Sequence, residues 1–189
     1  MNYEAYRSII DKLLAEGKTT GNDHSEFMID YTKMNVHRMN RLDKTVSLNE
    51  DLLKELNRIE KKYRFVVLTE AWCGDASQIV PVINQLANAS GGKITLDLIW
   101  RDENVEMMDR YQTNGGRAIP KLVVIDEASG TELAHWGPRP ALAQELVTEL
   151  KKDTSLGLAE VSEKLHYWYA KDKTQAIQKE LTELLQHLA

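Results

Sequence analysis

The stretch TEAWCGDASQIVP, residues 69–81, holds the chain's one cysteine, Cys73, at the point where a strand pattern changes to a helical pattern. The preceding run from Tyr63, YRFVVLTE, is apolar and β-branched, which is typical of a buried strand, and the residues after Cys73 have helical periodicity. Free N–H groups and the helix dipole at a helix N-terminus lower the pKa of a thiol. This setting predicts a reactive thiolate. The alternative is a cysteine that serves as a small buried apolar side chain.

The alternation of strand and helix patterns continues beyond this stretch. KITLDLIW (93–100) and KLVVID (121–126) have strand patterns, and TELAHW (131–136) pairs back on the latter as a hairpin. One helix between the first two strands predicts a parallel βαβ unit, and the hairpin adds antiparallel strands. The sequence therefore predicts the α/β class, with a mixed central sheet flanked by helices.

Both ends of the chain have helical patterns. A helix is predicted over residues 2–16, a second is predicted to be capped by Asp23, and a third to begin near Ser47. Three parts follow: a helical N-terminal extension (1–60), an α/β domain (61–152), and a helical C-terminal extension packed on that domain (153–189).

Composition narrows the function. The net charge of −5 argues against nucleic-acid binding. No apolar run approaches the roughly 20 residues of a membrane helix, and no cleavable leader is apparent, so we expect a cytoplasmic protein without a membrane partner. One cysteine and five scattered histidines offer neither an internal disulfide nor a metal site.

Trp72, Cys73 and Gly74, with Pro81 eight residues after the cysteine, resemble the active-site segment of thioredoxins. AIPKLVVID (118–126) resembles a second hallmark of that family, which implies that Pro120 is a cis-proline beside the thiol. LIWRDEN (98–104) is similar to the segment after the second thioredoxin strand. The resemblance covers about residues 63–152 and implies a thioredoxin-like fold. With WCGDA and both helical ends, nearly the whole chain looks like uncharacterised bacterial thioredoxin-like proteins.

Two positions depart from the thioredoxin pattern. Ala76 replaces the resolving cysteine, and Val67 stands where thioredoxins bury an aspartate. A dithiol enzyme needs the second cysteine to break its mixed disulfide. Cys73 would therefore require an external thiol to release its product.

The resemblance also implies a rim around the thiol. The loops after three strands would bring four cations toward Cys73, which would form an anion pocket and lower the pKa of the thiol: Arg101, Arg117, Lys121 and Arg139. Arg117, beside Pro120, is the strongest candidate, and the alternative for each cation is a solvated surface group. Asp75 is either a helix-start acid or a proton acceptor and ligand contact.

These residues define the predicted site. Cys73 is the catalytic residue, Trp72 covers the thiol, and the substrate-binding set is Trp72, Gly74, Asp75, Arg117, Ile119, Pro120 and Arg139. If the second helix lies over the thiol, three of its polar residues would narrow the site to a small molecule: Asn35, Arg38 and Arg41.

Three functions are open. The first is a monothiol thiol–disulfide oxidoreductase without a cofactor, which uses glutathione or another low-molecular-weight thiol as co-substrate and a thiol-containing small molecule or protein as partner. The second is a non-catalytic thioredoxin-fold module that binds a peptide or a small anion. The third is ligation by Cys73 of an iron–sulfur cluster shared between two subunits.

Overall fold

The structure is a computed structural model that describes residues 1–188. Within these residues, no helix has both the length and the apolar character needed to cross a membrane. The elements, in chain order, are α1 Tyr3–Ala15, α2 Glu26–Thr45, α3 Glu50–Arg58, β1 Tyr63–Thr69, α4 Gly74–Ala89, β2 Ile94–Trp100, α5 Val105–Asp109, β3 Lys121–Asp126, β4 Glu132–Trp136, α6 Ala141–Leu150, α7 Leu158–Asp172 and α8 Gln175–Gln186.

Short polar side chains set the starts of the N-terminal helices. Ser25 caps α2 by accepting the Met28 N–H, whereas the predicted cap, Asp23, accepts the N–H of Ser25. Asn49 caps α3 by accepting the Leu52 N–H, so this helix begins after the predicted Ser47. In each case the helix begins after the residue whose side chain accepts an N–H group of the first turn.

The four strands form one mixed sheet in the order β2-β1-β3-β4. β1 and β2 are parallel, while β3 is antiparallel to both β1 and β4. Leu68 near the end of β1 pairs with Lys121 at the start of β3. The residues that follow β1 and those that precede β3 therefore meet at one edge of the sheet. The predicted α/β class and mixed sheet are confirmed.

The terminal helices share the sheet's apolar core. Phe65, Val67 and Leu68 of β1 are fully buried, and they belong to one cluster with Tyr6 of α1 and Leu181 of α8. Val67 therefore contributes an apolar side chain to this core. α2 packs on α4, and α7 and α8 also contact α4, which brings helices from both ends of the chain onto the central domain. α3 packs on α8, so the two ends also contact each other.

Candidate functional site

Cys73 lies at the N-terminus of α4, where its extended backbone makes it the N-cap residue. Its Sγ accepts the backbone N–H of Ala76 at 3.4 Å, and its S–H donates to the Ile119 carbonyl oxygen at 3.2 Å. The thiol thus connects the first turn of α4 to the segment before β3, at the edge that the sheet topology defines.

The Ile119–Pro120 peptide bond next to the thiol is cis. The loop after β4 packs directly on this segment: Gly137 has φ +105°, and a Cβ there would overlap the Pro120 carbonyl oxygen. The Lys121 ammonium donates to the Gly137 carbonyl oxygen at 2.6 Å. Gly137 is therefore needed for close approach, and it fixes the position of Arg139 two residues later.

Three side chains from distant parts of the chain form a buried cluster beside Cys73. Arg139 Nη2 lies 2.6 Å from Asp75 Oδ2, and the Tyr169 hydroxyl donates to Asp75 Oδ1 at 2.7 Å. Tyr169 is 3% exposed, and its burial and the Asp75 carboxylate raise the pKa of Tyr169. Asp75 is thus both a helix-start acid and the centre of a hydrogen-bonded cluster at the thiol.

The prediction of a lowered thiol pKa is wrong for this conformation. Burial raises the pKa of Cys73 to about 12, and the Asp75 carboxylate adds to the rise. The Ala76 N–H and the Arg139 guanidinium act in the opposite direction without cancelling it. Cys73 is 8% exposed, so desolvation of the thiolate outweighs the favourable field at the helix N-terminus.

The predicted ring of cations is reduced to Arg139. Arg117 is exposed and pairs with Asp109, with Nε 2.7 Å from Oδ1. Arg101 pairs with Asp102, and Lys121 donates to Thr113 and to the Gly137 carbonyl. Of the four predicted cations, Arg139 is thus the one whose charge lowers the pKa of Cys73, and a role of Arg117 in substrate binding stays a prediction.

Helices α2 and α7 cover the turn that carries the thiol. A Cβ on Gly74 would lie 2.6 Å from both the Tyr31 hydroxyl and His166 Nε2, so glycine is the side chain that this cover accommodates. The Tyr31 hydroxyl bonds Ser162 at 2.7 Å and His166 Nε2 at 3.2 Å. We call Tyr31, His166 and Tyr169 the clasp.

His166 is held neutral within the clasp. Burial and the nearby Arg38 and Arg41 guanidinium groups lower the pKa of His166 to about 3. Its Nδ1 lies 3.1 Å from Gln78 Nε2 on α4. The imidazole therefore serves as an uncharged hydrogen-bonding bridge between α7, α2 and α4.

The three polar residues of α2 that were predicted to narrow the site lie where α2 covers the turn at Cys73. Asn35 is fully buried and donates to the Ala71 carbonyl oxygen at 2.9 Å. Arg38 donates to Asn35, and Arg41 donates to Gln78 of α4. α2 is therefore tied to the segment before Cys73 and to α4, and it restricts access from that side.

Trp72 forms the remaining side of the site. It is half-buried, and the Arg101 guanidinium lies 4.7 Å above its ring. The indole N–H of another tryptophan, Trp136 of β4, donates to Glu180 of α8. Among residues 1–188, no group of three or more His, Cys, Asp or Glu side chains is placed to hold a metal ion.

The clasp was not predicted from the sequence. Tyr31, His166 and Tyr169 lie on helices whose apolar periodicity has no unusual feature, and Tyr31 and His166 are 135 residues apart. Asp75 and Tyr169 are 94 residues apart. The signal that was available is Gly74, because a glycine in the first helical turn indicates a close neighbour.

A mixed sheet, a cysteine at the N-terminus of the helix after β1 and a cis-proline before β3 define a thioredoxin-fold protein. The thioredoxin family model matches residues 21–151, so the chain belongs to this family. It is 38% identical to a thioredoxin of Rhodospirillum rubrum over 56 residues, which cover 30% of this chain and 51% of that protein. It is 35% identical to a thioredoxin of Bacillus subtilis over 79 residues, or 41% of this chain and 72% of that protein.

A solved structure extends the similarity to both helical ends. A protein of unknown function from Pseudomonas aeruginosa aligns with a TM-score of 0.59 at 18% identity, covering 100% of this chain and 99% of its own. At this identity the match concerns the fold alone. The helical extensions are thus part of an architecture that another protein shares.

Proposed function

We propose that the protein is a monothiol redox protein that works through a mixed disulfide at Cys73. The observation that carries the proposal is the position of Sγ, at the N-cap of α4 and 3.2 Å from the Ile119 carbonyl beside cis-Pro120. The family supplies the second argument, since thioredoxins are thiol–disulfide proteins. Release by an external thiol accounts for Ala76 at the place of a resolving cysteine.

The proposed reaction has two exchange steps. The Cys73 thiol loses its proton to solvent, and the thiolate attacks one sulfur of a substrate disulfide, which forms the Cys73 mixed disulfide and expels the other sulfur as a thiolate. A low-molecular-weight thiol, in its thiolate form, then attacks the substrate sulfur of the mixed disulfide. This step forms a new small disulfide and returns Cys73 as a thiolate, which takes up a proton.

In this structure the buried Cys73 thiol is expected to react slowly with disulfides. With a pKa of about 12, Cys73 is almost wholly protonated near neutral pH. Reaction therefore requires a movement that exposes Sγ, and the clasp is the part of the structure that must give way. In an opened site, the Ala76 N–H and Arg139 stabilise the thiolate without the desolvation penalty.

Small disulfides suit this site better than folded protein substrates. Asn35 and Tyr31 of α2 and His166 of α7 occupy the surface around the turn at Cys73. What remains beside the thiol is bounded by Trp72, the Ile119–Pro120 segment and Arg139. We propose glutathione, or a thiol of similar size and charge, as the co-substrate, in the cytoplasm, where such thiols are kept reduced.

The proposal is tested by incubating the full chain with oxidised glutathione and measuring its intact mass. We expect one glutathione on the wild type, none on Cys73→Ser, and loss of the adduct when reduced glutathione is added. The burial of Cys73 is the observation that favours the alternative, a non-catalytic module. A wild-type chain that stays unmodified, although thiol counting after unfolding finds Cys73 free, would support the module.

A further inference from the structure

A pocket of about 390 Å³ lies between the C-terminal end of α2 and the turn that joins α7 to α8. Two cationic side chains line it, Arg41 of α2 and Lys173 of the turn. Two residues with hydroxyl groups line it as well, Ser47 and Thr174. The volume accommodates a small molecule, and the charged and polar groups of the lining determine its chemical class.

The pocket is positively charged on an acidic protein. Of residues 1–188, those that line it include no Asp or Glu, whereas the whole chain has a net charge of −5. In the same part of the chain, neither Arg41 nor Lys173 forms an ion pair with a carboxylate. Asp172, which precedes Lys173, accepts the Ala176 N–H at 3.1 Å and lines a different pocket, between α3 and α8. Two cations without carboxylate partners favour an anionic ligand.

Thr174 adds a buried hydrogen-bond donor. It is 8% exposed, and its hydroxyl oxygen accepts from Gln178 Nε2 at 2.8 Å, while the hydroxyl hydrogen has no acceptor among residues 1–188. The backbone is left-handed at both Lys173 (φ +51°) and Thr174 (φ +69°), and both residues line the pocket. A β-branched residue rarely adopts such a φ, and strained backbone of this kind is concentrated at ligand-binding sites.

A phosphate dianion matches the groups of this pocket. Its oxygens accept several hydrogen bonds, and its double charge matches the two cations, whereas a carboxylate carries a single charge. Arg41 makes one side-chain hydrogen bond, from Nη2 to Gln78 at 3.2 Å, so its other N–H groups are free to donate to a ligand. The lining therefore favours phosphate over carboxylate.

We propose that this pocket binds a phosphate dianion, free or as the monoester of a small molecule, and that the bound anion keeps the clasp closed. Arg41 belongs to α2 and Lys173 follows α7, so one anion between them joins the two helices that cover the turn at Cys73. Tyr169, which also lines the pocket, bonds Asp75 beside the thiol. Binding of the anion does not depend on the proposed function, and its effect on the clasp concerns access to the same thiol.

Amide NMR of the full chain during titration with inorganic phosphate tests the binding. We expect saturable shifts of residues 41–47 and 169–175, and binding about tenfold weaker in Lys173→Gln, because one charge-assisted contact is lost. Lys164→Gln, an equal charge change at an exposed position of α7 outside the pocket, should bind as the wild type does. Cys73→Ser should also bind normally, so a failure of the thiol chemistry would leave this result unchanged.

Other anions determine the chemistry that the pocket selects. Acetate at the same ionic strength should bind at least about tenfold more weakly than phosphate, because it carries one charge. Glycerol 3-phosphate distinguishes the two sources of phosphate: tighter binding than that of inorganic phosphate indicates a monoester, and equal or weaker binding indicates the free ion. Equal binding of acetate and phosphate, equal affinities of Lys173→Gln and Lys164→Gln, or no saturable shift at the pocket would each overturn the proposal.

Hydrogen exchange measures closure of the clasp without using the thiol. If the anion binds only while α2 and α7 are packed together, phosphate at about ten times its Kd should slow the exchange of α7 amides about tenfold. Lys173→Gln at the same phosphate concentration should show a much smaller effect. Unchanged exchange of the α7 amides in a wild-type chain that has bound phosphate would overturn the coupling of this pocket to the clasp.

Discussion

Arg139 and Asp75 form a partly buried ion pair, Nη2 to Oδ2 at 2.6 Å, beside the Cys73 thiol. Arg139 lowers the pKa of Cys73, and Asp75 raises it. Arg139, which would otherwise stabilise a Cys73 thiolate, is thus also paired with the Asp75 carboxylate. Burial, the largest influence on this thiol, adds to the effect of Asp75.

Asp75→Asn should make Cys73 more acidic. The change removes the carboxylate charge and leaves Arg139 free to face the thiol, while the amide oxygen still accepts from Tyr169. We expect the alkylation rate of Cys73 at pH 8 to rise roughly tenfold, which corresponds to a fall of about one pKa unit. The pH dependence of iodoacetamide modification measures it.

Asp109→Asn is the matched control for this experiment. It breaks the exposed pair with Arg117 and should leave the thiol unchanged. A Cys73 pKa that is the same in Asp75→Asn and the wild type would contradict the electrostatic account.

Gly74→Ala should loosen the clasp. Because the new Cβ would lie 2.6 Å from Tyr31 Oη and His166 Nε2, these side chains must move. We expect faster alkylation of Cys73 and a loss of about 1–2 kcal/mol in the free energy of unfolding. Gly116→Ala, whose Cβ would be 3.5 Å from the Thr113 carbonyl oxygen, should alter neither quantity. Unchanged alkylation in Gly74→Ala would show that the clasp does not limit access to the thiol.

Gly137→Ala should destabilise the protein more than Gly130→Ala. Both glycines have positive φ, but only the Cβ at residue 137 meets other atoms, since it overlaps the Pro120 carbonyl oxygen. Chemical denaturation should show a loss of about 1 kcal/mol for Gly130→Ala, from backbone strain, and about 3 kcal/mol for Gly137→Ala. Equal losses in the free energy of unfolding would mean that the loop after β4 moves to accept the new Cβ without destabilising the protein.

His166 should make stability sensitive to acid. Its pKa is about 3 in the folded protein and ordinary, about 6.5, in the unfolded chain. Stability is therefore full above pH 6.5 and falls as pH drops toward 3, because the unfolded state takes up the proton first. The slope from this one group is at most about 1.4 kcal/mol per pH unit.

Comparison with His166→Gln isolates that contribution. The free energy of unfolding of the variant should depend less on pH between 3 and 6.5 than that of the wild type, whereas His37→Gln, on the exposed side of α2, should keep the wild-type slope. Identical slopes for His166→Gln and the wild type would contradict a neutral, buried His166.

The fold was predictable because its signals are local. The strand before Cys73, the helix after it and Pro120 before β3 are each contained in about ten residues. The pairing of β3 with β1 and the close approach of Gly137 to Pro120 were not predictable, since each depends on contacts between distant segments.

The state of the thiol was not predictable from the sequence. A helix N-terminus lowers the pKa of a thiol, but burial raises it, and the burial of Cys73 depends on tertiary packing. α7 reaches the site through Tyr169 and Asp75, which are 94 residues apart, and α7 is joined to α2 through His166 and Tyr31, which are 135 residues apart. The pairing of Arg117 with Asp109 was not predictable either, because Asp109 belongs to a short helix whose packing the pattern does not define.

The covalent state of Cys73 in cells is the sharpest test of whether the protein works through a mixed disulfide. The full chain is recovered from rapidly acidified cells, free thiols are blocked, and the mass of the peptide that contains Cys73 is measured beside Cys73→Ser. We expect a fraction of wild-type chains to carry one recurring low-molecular-weight thiol on Cys73, and a larger fraction in Gly74→Ala. If Cys73 of the wild type and of Gly74→Ala is found only as a free thiol that the blocking reagent modifies, under oxidising as well as normal growth, a mixed disulfide at Cys73 would be contradicted.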